Sequence, residues 1–483
     1  MAKKEFYTFA CFAKDDKGDC YAVRLSPDLD EINRWKNDLK SESEDSGDGD
    51  AEKEDADSKA TLGDSVEGPD DLSELMVRFR ESMSAFEPLI LTGTAMMPML
   101  SAAFVKHHLK PSADQYLKII EDDQNCQVFG VPHSNAGAFF TNIDRLKEIH
   151  RAKDLMPGSI LLSIVATFDS YIADTMKYLF SKRPERFKSS EKTLTLKEIL
   201  SMDSFDDVIR STINNEVESI MRGSHEDQIK EMEKIFSIKI IGAYEDWANF
   251  IEIFERRNLV AHGSNIVNKI YLDRCESCGF DVSNVEIGKD LNINARYLRR
   301  SVDLLMEFGL VLMFVLWKKN FPEEERDAFS RLNQMACELI KDKRSRIASR
   351  IIEYSLKHQK VNIDENLKKM MVINRANALK KIKKTKESKE LIQSVDWSAV
   401  SDSFRICLAA LDDDAEAVAN MMKRVVDAGL VQKEEFREWP VFDWVRNEEP
   451  VEAKFLELFG EPLNVANEGN KEPSEIEGQS VKE

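Results

Sequence analysis

The sequence predicts a mainly α-helical chain of several domains. Gly (19) and Pro (13) are sparse among 483 residues, which disfavours a loop-rich all-β architecture. Hydrophobic residues make up 42% of the chain and charged residues 32%, so the chain is long and apolar enough to bury a substantial core. Apolar side chains recur at helical spacing through most of the chain after residue 72, which indicates helices.

The N-terminal third is the least regular part of the sequence. Segment 1–36 is predicted to hold a small β-hairpin, because EFYTFACFA and CYAVRLS flank the turn-rich DDKGD. Segment 37–71 is rich in Asp, Glu, Ser and Gly and cannot bury enough apolar surface to fold, so a disordered acidic linker is predicted. Segment 72–156 is predicted to be mixed but mostly helical, with a short strand at QVFGVP and a helix at 140–153.

Segment 157–320 is predicted to form one helical bundle. Pro157-Gly158-Ser159 is expected to break the chain, with the serine capping the first helix. Later helices are predicted from about Phe205 and over 226–240, 243–262 and 294–319. The last of these is apolar nearly all round from Phe308 to Trp317, so it is expected to lie in the core.

The C-terminal part is predicted to be helical up to an acidic tail. Segment 321–390 forms a basic helical region, and segment 391–463 holds a helix pair at 397–411 and 415–427, joined by three aspartates that provide N-cap chemistry. Segment 391–463 resembles a helix-turn-helix repeat module of the TPR type. The tail 464–483 is predicted to be disordered.

The net charge of −20 is very unevenly distributed. Residues 41–71 hold 13 acidic side chains and two lysines, a net charge of −11, and the tail 466–483 adds −3 from five Glu and two Lys. Residues 341–389 hold 16 Lys and Arg against five Asp and Glu, a net charge of +11. The acidic total therefore does not exclude nucleic acid as a partner.

The cysteines and the N-terminus predict a cytoplasmic protein with reduced thiols. Seven cysteines are scattered, and MAKKEFYTF lacks the apolar core of a signal peptide. The stretch Leu304–Trp317 is too short to cross a bilayer of roughly 30 Å, so no membrane partner is expected. Cys275 and Cys278 have zinc-knuckle spacing but no second ligand pair follows, and His107-His108 has no companion ligand, so no metal is predicted.

One motif carries the candidate chemistry. The predicted helix 243–262 ends in Arg257-Asn258-Leu259-Val260-Ala261-His262, followed by a glycine. Histidine, with an ordinary pKa near 6.5, can serve as general acid or base at a ribose 2′-hydroxyl. Arginine can hold a phosphate and stabilise charge that develops at phosphorus. The pattern suits RNA cleavage without a metal, although an arginine and a histidine at a helix end are also typical of a solvated helix terminus.

RNLVAH inside a helical bundle resembles the HEPN superfamily, whose signature is Arg, four to six residues and His, often with Asn after the Arg. The resemblance covers 157–320 and extends to the sequel GSNIVNKIY. It implies metal-independent endoribonuclease activity with no cofactor, catalysed by Arg257, Asn258 and His262 at a composite site where two copies meet in a homodimer. Members include RNase toxins and antiphage effectors, and also catalytically silent scaffolds.

Two further points concern the geometry and RNA binding. Residues 257 and 262 are five apart, which is about 140° around an unbroken helix, so their convergence needs a helix end between them or a second subunit. Arg256 offers a spacing of five intervening residues and is a candidate RNA contact. The basic run KKIKK could follow an RNA backbone or form a solvated helix face; its candidate residues are Lys380, Lys381, Lys383 and Lys384.

Two functions from different classes follow. The first is a HEPN-type endoribonuclease, a toxin or antiphage effector by resemblance, that binds RNA and acts as a homodimer. The alternative is a non-catalytic dimeric scaffold that binds a partner protein through its C-terminal helices.

Overall fold

The computed structural model describes residues 7–14, 20–26, 34, 71–109, 118–122, 126–132, 136–189, 204–263, 265–357 and 362–464. This part of the chain is mainly helical, as predicted. The predicted linker 37–71, except its last residue, and the predicted tail 464–483, except its first, lie outside the described residues.

The described strands form one four-stranded antiparallel sheet in the order β2-β1-β4-β3. Phe9 pairs with Ser26 on one side and with Gly130 on the other. The segment predicted as a hairpin therefore also pairs with chain from 118–132, of which only QVFGVP is predicted as a strand. The strands are β1 (Tyr7–Lys14), β2 (Cys20–Ser26), β3 (Lys118–Asp122) and β4 (Cys126–Pro132).

Helical structure runs without a break from Leu72 to Leu109, and Asp71 caps it by accepting a hydrogen bond from the Glu74 amide at 2.7 Å. One face packs on the rest of the protein, and the other exposes large apolar side chains that we call the apolar stripe: Leu89, Leu91, Met96, Met99 and Leu100. The segments are α1 (Leu72–Ser84), α2 (Phe86–Leu91), a π-helical turn (Thr92–Met96), α3 (Met97–Phe104) and a second π-helical turn (Val105–Leu109).

The predicted helix start at Ser159 is wrong. Helix α4 runs unbroken from Ala136 to Lys182 and contains Pro157 in its interior. The proline removes one N–H donor, and the Ser159 hydroxyl, which was expected to cap a helix, instead donates to the Leu155 carbonyl at 3.1 Å. Burial of Ile160, Ile164 and their successors against the bundle offsets the lost hydrogen bond, so packing overrides the local signal.

Four of the five remaining bundle helices lie within about four residues of their predicted bounds, and α8 (Lys269–Ser277) is not predicted from the sequence. Ser204 and Asn294 cap two of them by accepting hydrogen bonds from backbone amides. The last helix is the centre of the core, because every residue from Leu304 to Trp317 is buried, as its apolar surface predicts. The helices are α5 (Phe205–Met221), α6 (His225–Phe236), α7 (Trp247–Gly263), α8 (Lys269–Ser277) and α9 (Ala295–Asn320).

The C-terminal helices share one recurring turn. Lys343, Lys383 and Asp413 each adopt a left-handed conformation (φ 61°, 66° and 60°) between two packed helices. The backbone hydrogen bonds around the three residues follow the same pattern. The same turn thus occurs on both sides of residue 390, where the sequence predicts a boundary between the basic region and the TPR-like module. The helices are α10 (Glu325–Lys341), α11 (Ser345–Lys357), α12 (Glu365–Lys381), α13 (Thr385–Gln393), α14 (Asp402–Leu411), α15 (Ala415–Asp427), α16 (Lys433–Glu438) and α17 (Glu449–Phe459).

Two described helical stretches, Leu72–His108 and Phe140–Lys182, are long and apolar enough to cross a bilayer by length and composition alone. Both are longer than Leu304–Trp317, the apolar stretch on which the prediction of no membrane span is based. They pack against each other: the Ser101 hydroxyl lies 2.8 Å from His150 Nε2. Length and composition do not distinguish a membrane span from a core helix, so the expected absence of a membrane stays a prediction.

Candidate functional site

The RNLVAH motif forms the last turns of α7, which packs against α4, α8 and α9. The helix remains unbroken to Gly263, so no helix end lies between Arg257 and His262. The two side chains therefore leave the helix about 140° apart. The structure therefore does not contain the helix end between the two residues that one of the predicted arrangements requires.

The motif residues differ in their surroundings. His262 is exposed. Arg257 is half-buried, and its Nε atom is shielded from solvent with no hydrogen-bond partner among the described residues. The side-chain amide of Asn258 lies 3.5 Å from Glu255, a buried carboxylate that also contacts Arg274 at 3.3 Å. The imidazole of His262 is therefore accessible at the surface, whereas the side-chain amide of Asn258 contacts Glu255 on the same helix.

Arg256, the candidate RNA contact, points into the protein. Its Nε donates to Glu252 at 2.7 Å, and its guanidinium lies 4.3 Å from the centre of the Tyr297 ring. Glu252 is only 4% exposed, and it also accepts hydrogen bonds from the hydroxyls of Tyr271 at 2.8 Å and Tyr297 at 2.9 Å. Burial raises the pKa of Tyr297 well above its usual range, so the phenol stays a donor. This placement favours a structural role for Arg256.

The Glu252 network was not identified from the sequence, although one signal was available. Glu252 and Arg256 are four residues apart, the spacing at which opposite charges pair on a helix. The tyrosines come from α8 and from the start of α9, 19 and 45 residues further along, so no local pattern indicates them.

Two tight contacts fix the end of α7. A Cβ atom on Gly158 of α4 would lie 2.9 Å from Val260 Cγ1, so the glycine permits the close approach of the two helices. After the motif, Asn265 adopts φ 68°, its amide donates to the Leu259 carbonyl at 3.2 Å, and its side chain donates to Asp290 at 2.7 Å. These bonds, and those between Asn265 and Leu291, hold the chain after the motif against 290–291.

Most of the basic run at 380–384 is engaged within the protein. Lys380 is nearly buried, donates to the Leu411 carbonyl at 2.7 Å and to Asp413 at 2.6 Å, and lies over the Trp444 ring. Lys381 pairs with Asp443 at 2.6 Å, whereas Lys384, half exposed, pairs with the nearby Glu387 at 2.8 Å. Lys383 is exposed and holds the left-handed position of the turn. Lys383 and Lys384 are thus the more available of the four for RNA.

The charge of the whole basic stretch is largely balanced by acids from elsewhere. Arg344 pairs with Asp303, and Arg350 with Asp246 and Glu307, which lie outside the stretch, whereas Arg375 pairs with Glu353 inside it and Arg346 has no ion-pair partner among the described residues. A net charge counted along the sequence therefore overstates the positive potential at the surface.

The other candidate ligands stay apart. Cys275 is buried beneath the motif helix, and burial raises the pKa of its thiol to about 12. Cys278 is half-buried, with its sulfur 3.6 Å from Glu226. His107 and His108 are exposed at the end of the first helical stretch. Among the described residues, no three or more His, Cys, Asp or Glu side chains are grouped to hold a metal ion.

Comparisons of the chain with protein-family models, with curated proteins and with solved structures find no match.

Proposed function

We propose that this protein is a HEPN-type, metal-independent endoribonuclease that acts in the cytoplasm as a homodimer, with Arg257, Asn258 and His262 in its site. The observation that carries the proposal is the unbroken α7, which holds the Arg and His of the motif about 140° apart beside the bundle core. One subunit alone cannot bring both onto a single phosphate, but two motif helices that face each other can.

The residues divide the chemistry between them. The exposed His262 would move a proton at the 2′-hydroxyl or at the leaving oxygen. The guanidinium of Arg257 would hold the scissile phosphate, which would also supply a partner for its unpaired Nε. Glu252 keeps Arg256 in the interior, so the two adjacent arginines do not compete for the substrate.

Exposed apolar side chains beside the motif support a dimer. Ile266, Ile270 and Ile287 are 46%, 62% and 62% exposed. The Gly288 amide donates to the Val267 carbonyl at 2.9 Å, which brings Ile287 close to Ile266. Burying such a patch is a usual reason for association. We expect Ile270→Asp to give a monomer without cleavage activity; a monomer that still cleaves RNA would rule out the composite site.

The direct test is RNA cleavage in the presence of a metal chelator. Purified wild type and His262→Ala are incubated with tRNA and with total RNA, and the products are separated on denaturing gels. We expect cleavage by wild type only. His107→Ala is the matched control, because that histidine is also exposed but lies on another helix. Equal product patterns from wild type and His262→Ala would overturn the enzymatic proposal.

Mixing two inactive variants tests whether the site is shared. If each site takes Arg257 from one chain and His262 from the other, a mixed dimer of Arg257→Ala and His262→Ala keeps one intact site. Random exchange makes half of the dimers mixed, and each has one of two sites, so about a quarter of wild-type activity should return. Failure of the mixture, although both variants dimerise and exchange subunits, would contradict a site that takes Arg257 from one chain and His262 from the other.

A second candidate function is a non-catalytic scaffold, with a C-terminal helical array of TPR type that binds a partner protein. The observation that favours a partner protein is the apolar stripe, whose five side chains are between 50% and 70% exposed; it lies on the first helical stretch and would be a second contact surface beside the C-terminal array. If His262→Ala has no effect on RNA or on growth of an expressing cell, and Met99→Asp abolishes co-purification of a partner, the scaffold is the better description.

A further inference from the structure

Two cavities adjoin where the bundle meets the C-terminal helices. One has a volume of about 540 Å³ and lies between the end of the 3₁₀ turn Ile241–Ala243, α9, α11 and the turn after α12. The other has a volume of about 470 Å³ and lies between the first turns of α9 and the start of α11. Glu307 and Arg346 line both, so the two cavities are adjacent, and we refer to them together as the cleft. Together they exceed the volume that a small cofactor needs.

The cavity beside the start of α9 is rich in arginine. Its walls carry Arg296, Arg299, Arg300 and Arg346. Its carboxylates are already matched, because Asp303 pairs with Arg344, and Asp246 pairs with Arg350 at 2.6 Å. Arg296 and Arg346 are exposed and have no ion-pair partner within the part of the chain that the structure describes. Arg299 pairs with Glu87 at 2.7 Å and Arg300 donates to Asn249 at 2.7 Å, so Arg296 and Arg346 are the guanidinium groups most available for an anion at this end.

The other cavity has the opposite character. It is lined by the carboxylates Glu245, Glu307, Glu353 and Glu387, by the rings of Tyr244 and Tyr354, and by aliphatic side chains. Two of its three cations are committed, because Arg350 pairs with Glu307 at 2.7 Å and Lys384 pairs with Glu387, whereas Arg346 is shared with the arginine-rich cavity. Glu353 pairs with Arg375 at 2.8 Å, so Glu245 is the lining carboxylate without an ion-pair partner among the described residues. A ligand at this end should be flat, uncharged and rich in hydrogen-bond donors, because carboxylates accept but cannot donate when ionised.

We propose that this cleft binds a purine nucleoside polyphosphate. Its phosphates would contact Arg296, Arg299, Arg300 and Arg346, and its base would lie among the two tyrosines with its amino group toward the glutamates. Guanidinium groups bind phosphate oxygens in two-point contacts, and aromatic rings give a flat base a surface to pack on. The side chains that line the cleft lie outside the RNLVAH motif, so this proposal does not depend on the nuclease proposal.

The charged side chains are unevenly distributed in the cleft, with arginines at one end and carboxylates at the other, which argues against a site for a simple anion. A bare polyphosphate would gain the arginine contacts but leave the carboxylate-lined cavity unfilled, while a nucleoside would fill that cavity and leave the arginines unpaired. Only a ligand with both parts satisfies both ends at once. Glu307 and Arg346, which border both cavities, lie where the sugar would join the two parts.

The test is isothermal titration calorimetry of the full-length protein with ATP, GTP, tripolyphosphate and adenosine. We expect saturable binding of ATP or GTP at least tenfold tighter than either tripolyphosphate or adenosine. In the Arg296→Gln/Arg346→Gln variant, nucleotide affinity should fall at least tenfold while the unfolding temperature is unchanged, since both side chains are exposed. Arg405→Gln, half exposed on α14, is the matched control.

Three results would overturn the proposal. They are no saturable binding of either nucleotide, tripolyphosphate binding as tightly as ATP and GTP, and unchanged nucleotide affinity in the double arginine variant. Displacement of bound nucleotide by a short RNA at equal affinity would assign the arginine end to RNA instead. His262→Ala should bind nucleotide like the wild type, so a loss of RNA cleavage and a loss of nucleotide binding can be told apart.

Discussion

The Nε atom of Arg256 lies 2.7 Å from a carboxylate oxygen of Glu252, one turn earlier on the same helix and almost fully buried. This ion pair, with the two tyrosine hydroxyls on the carboxylate, ties α7 to α8 and α9 just before the motif. The adjacent residues Arg256 and Arg257 therefore have different surroundings. Arg256 is paired in the interior, whereas Arg257 is half-buried with an Nε atom that has no hydrogen-bond partner among the described residues.

We expect Glu252→Gln to destabilise the fold by about 3 kcal/mol, because removing one partner of a buried pair leaves Arg256 uncompensated. Urea denaturation followed by circular dichroism measures the free energy of unfolding. Glu218→Gln is the control: its carboxylate pairs with Arg222 at the surface, where such pairs contribute about 0–1 kcal/mol. Similar losses in the two variants would mean that the Glu252 network does not hold α7.

Gly309→Ala should also destabilise the protein, by about 1–3 kcal/mol, because the core has no space for the added methyl group. A Cβ atom on Gly309 would lie 2.5 Å from the Phe79 ring, which stacks on Tyr171 with 3.9 Å between ring centres. Gly137→Ala is the matched helical control, since nothing lies within 4 Å of its Cβ position. Thermal unfolding of the two variants should therefore shift in opposite directions or by clearly different amounts.

Stability should depend on pH through Glu307. Burial raises the pKa of this carboxyl from its ordinary 4.5 to about 7, and Arg350 only partly opposes the shift. The folded state therefore binds the proton more tightly than the unfolded state. The stabilisation is fully present below pH 4.5 and is lost as pH rises to 7, by up to about 3 kcal/mol.

The comparison of wild type with Glu307→Gln isolates this effect. The difference in unfolding free energy between the two proteins should change in favour of the variant as pH rises from 4.5 to 7. Glu390→Gln, an exposed carboxyl that pairs only with Lys386 at 3.8 Å among the described residues, should show no comparable trend. A flat difference for Glu307→Gln would show that folding does not raise the pKa of this carboxyl.

Lys380→Met should destabilise the C-terminal helices by about 1–3 kcal/mol, because it leaves the Leu411 carbonyl and Asp413 without their buried donor. Lys386→Met, with a side chain 92% exposed, should change the free energy of unfolding by less than about 0.5 kcal/mol. Urea denaturation monitored by tryptophan fluorescence suits this test, since Trp444 lies 4.1 Å from Lys380 Nζ. Equal stability of the two variants would contradict a structural role for Lys380.

A structural feature could be predicted from the sequence when the residues that cause it lie within a few positions of it. Phe205 begins a helix because Ser204 caps it, and Gly460 ends one because it adopts φ 70°. Both signals lie within a few residues of the feature. The all-round apolar surface of α9 similarly indicates its central position without knowledge of its neighbours.

The differences between prediction and structure come from packing, in most cases between distant segments. Pro157 lies inside a helix because the residues that follow it, from Ile160 onward, are buried against the bundle, which no local rule for proline includes. The prediction that Arg256 and Lys380 bind RNA rests on their charge in the sequence. In the structure Arg256 pairs with Glu252, and Lys380 donates to Asp413 and to the Leu411 carbonyl. The motif itself is visible in sequence, but the continuity of its helix, which decides how Arg257 and His262 can meet, is not.

One turn of α4 separates the apolar stripe from the motif. On one side, Gly93 lies against Met156 and Ile160; on the other, Gly158 lies against Val260. The first helical stretch and the motif helix thus pack on opposite sides of the same turn of α4, and in each case a glycine permits the close approach. A larger residue at Gly93 or at Gly158 would push its helix away from this turn.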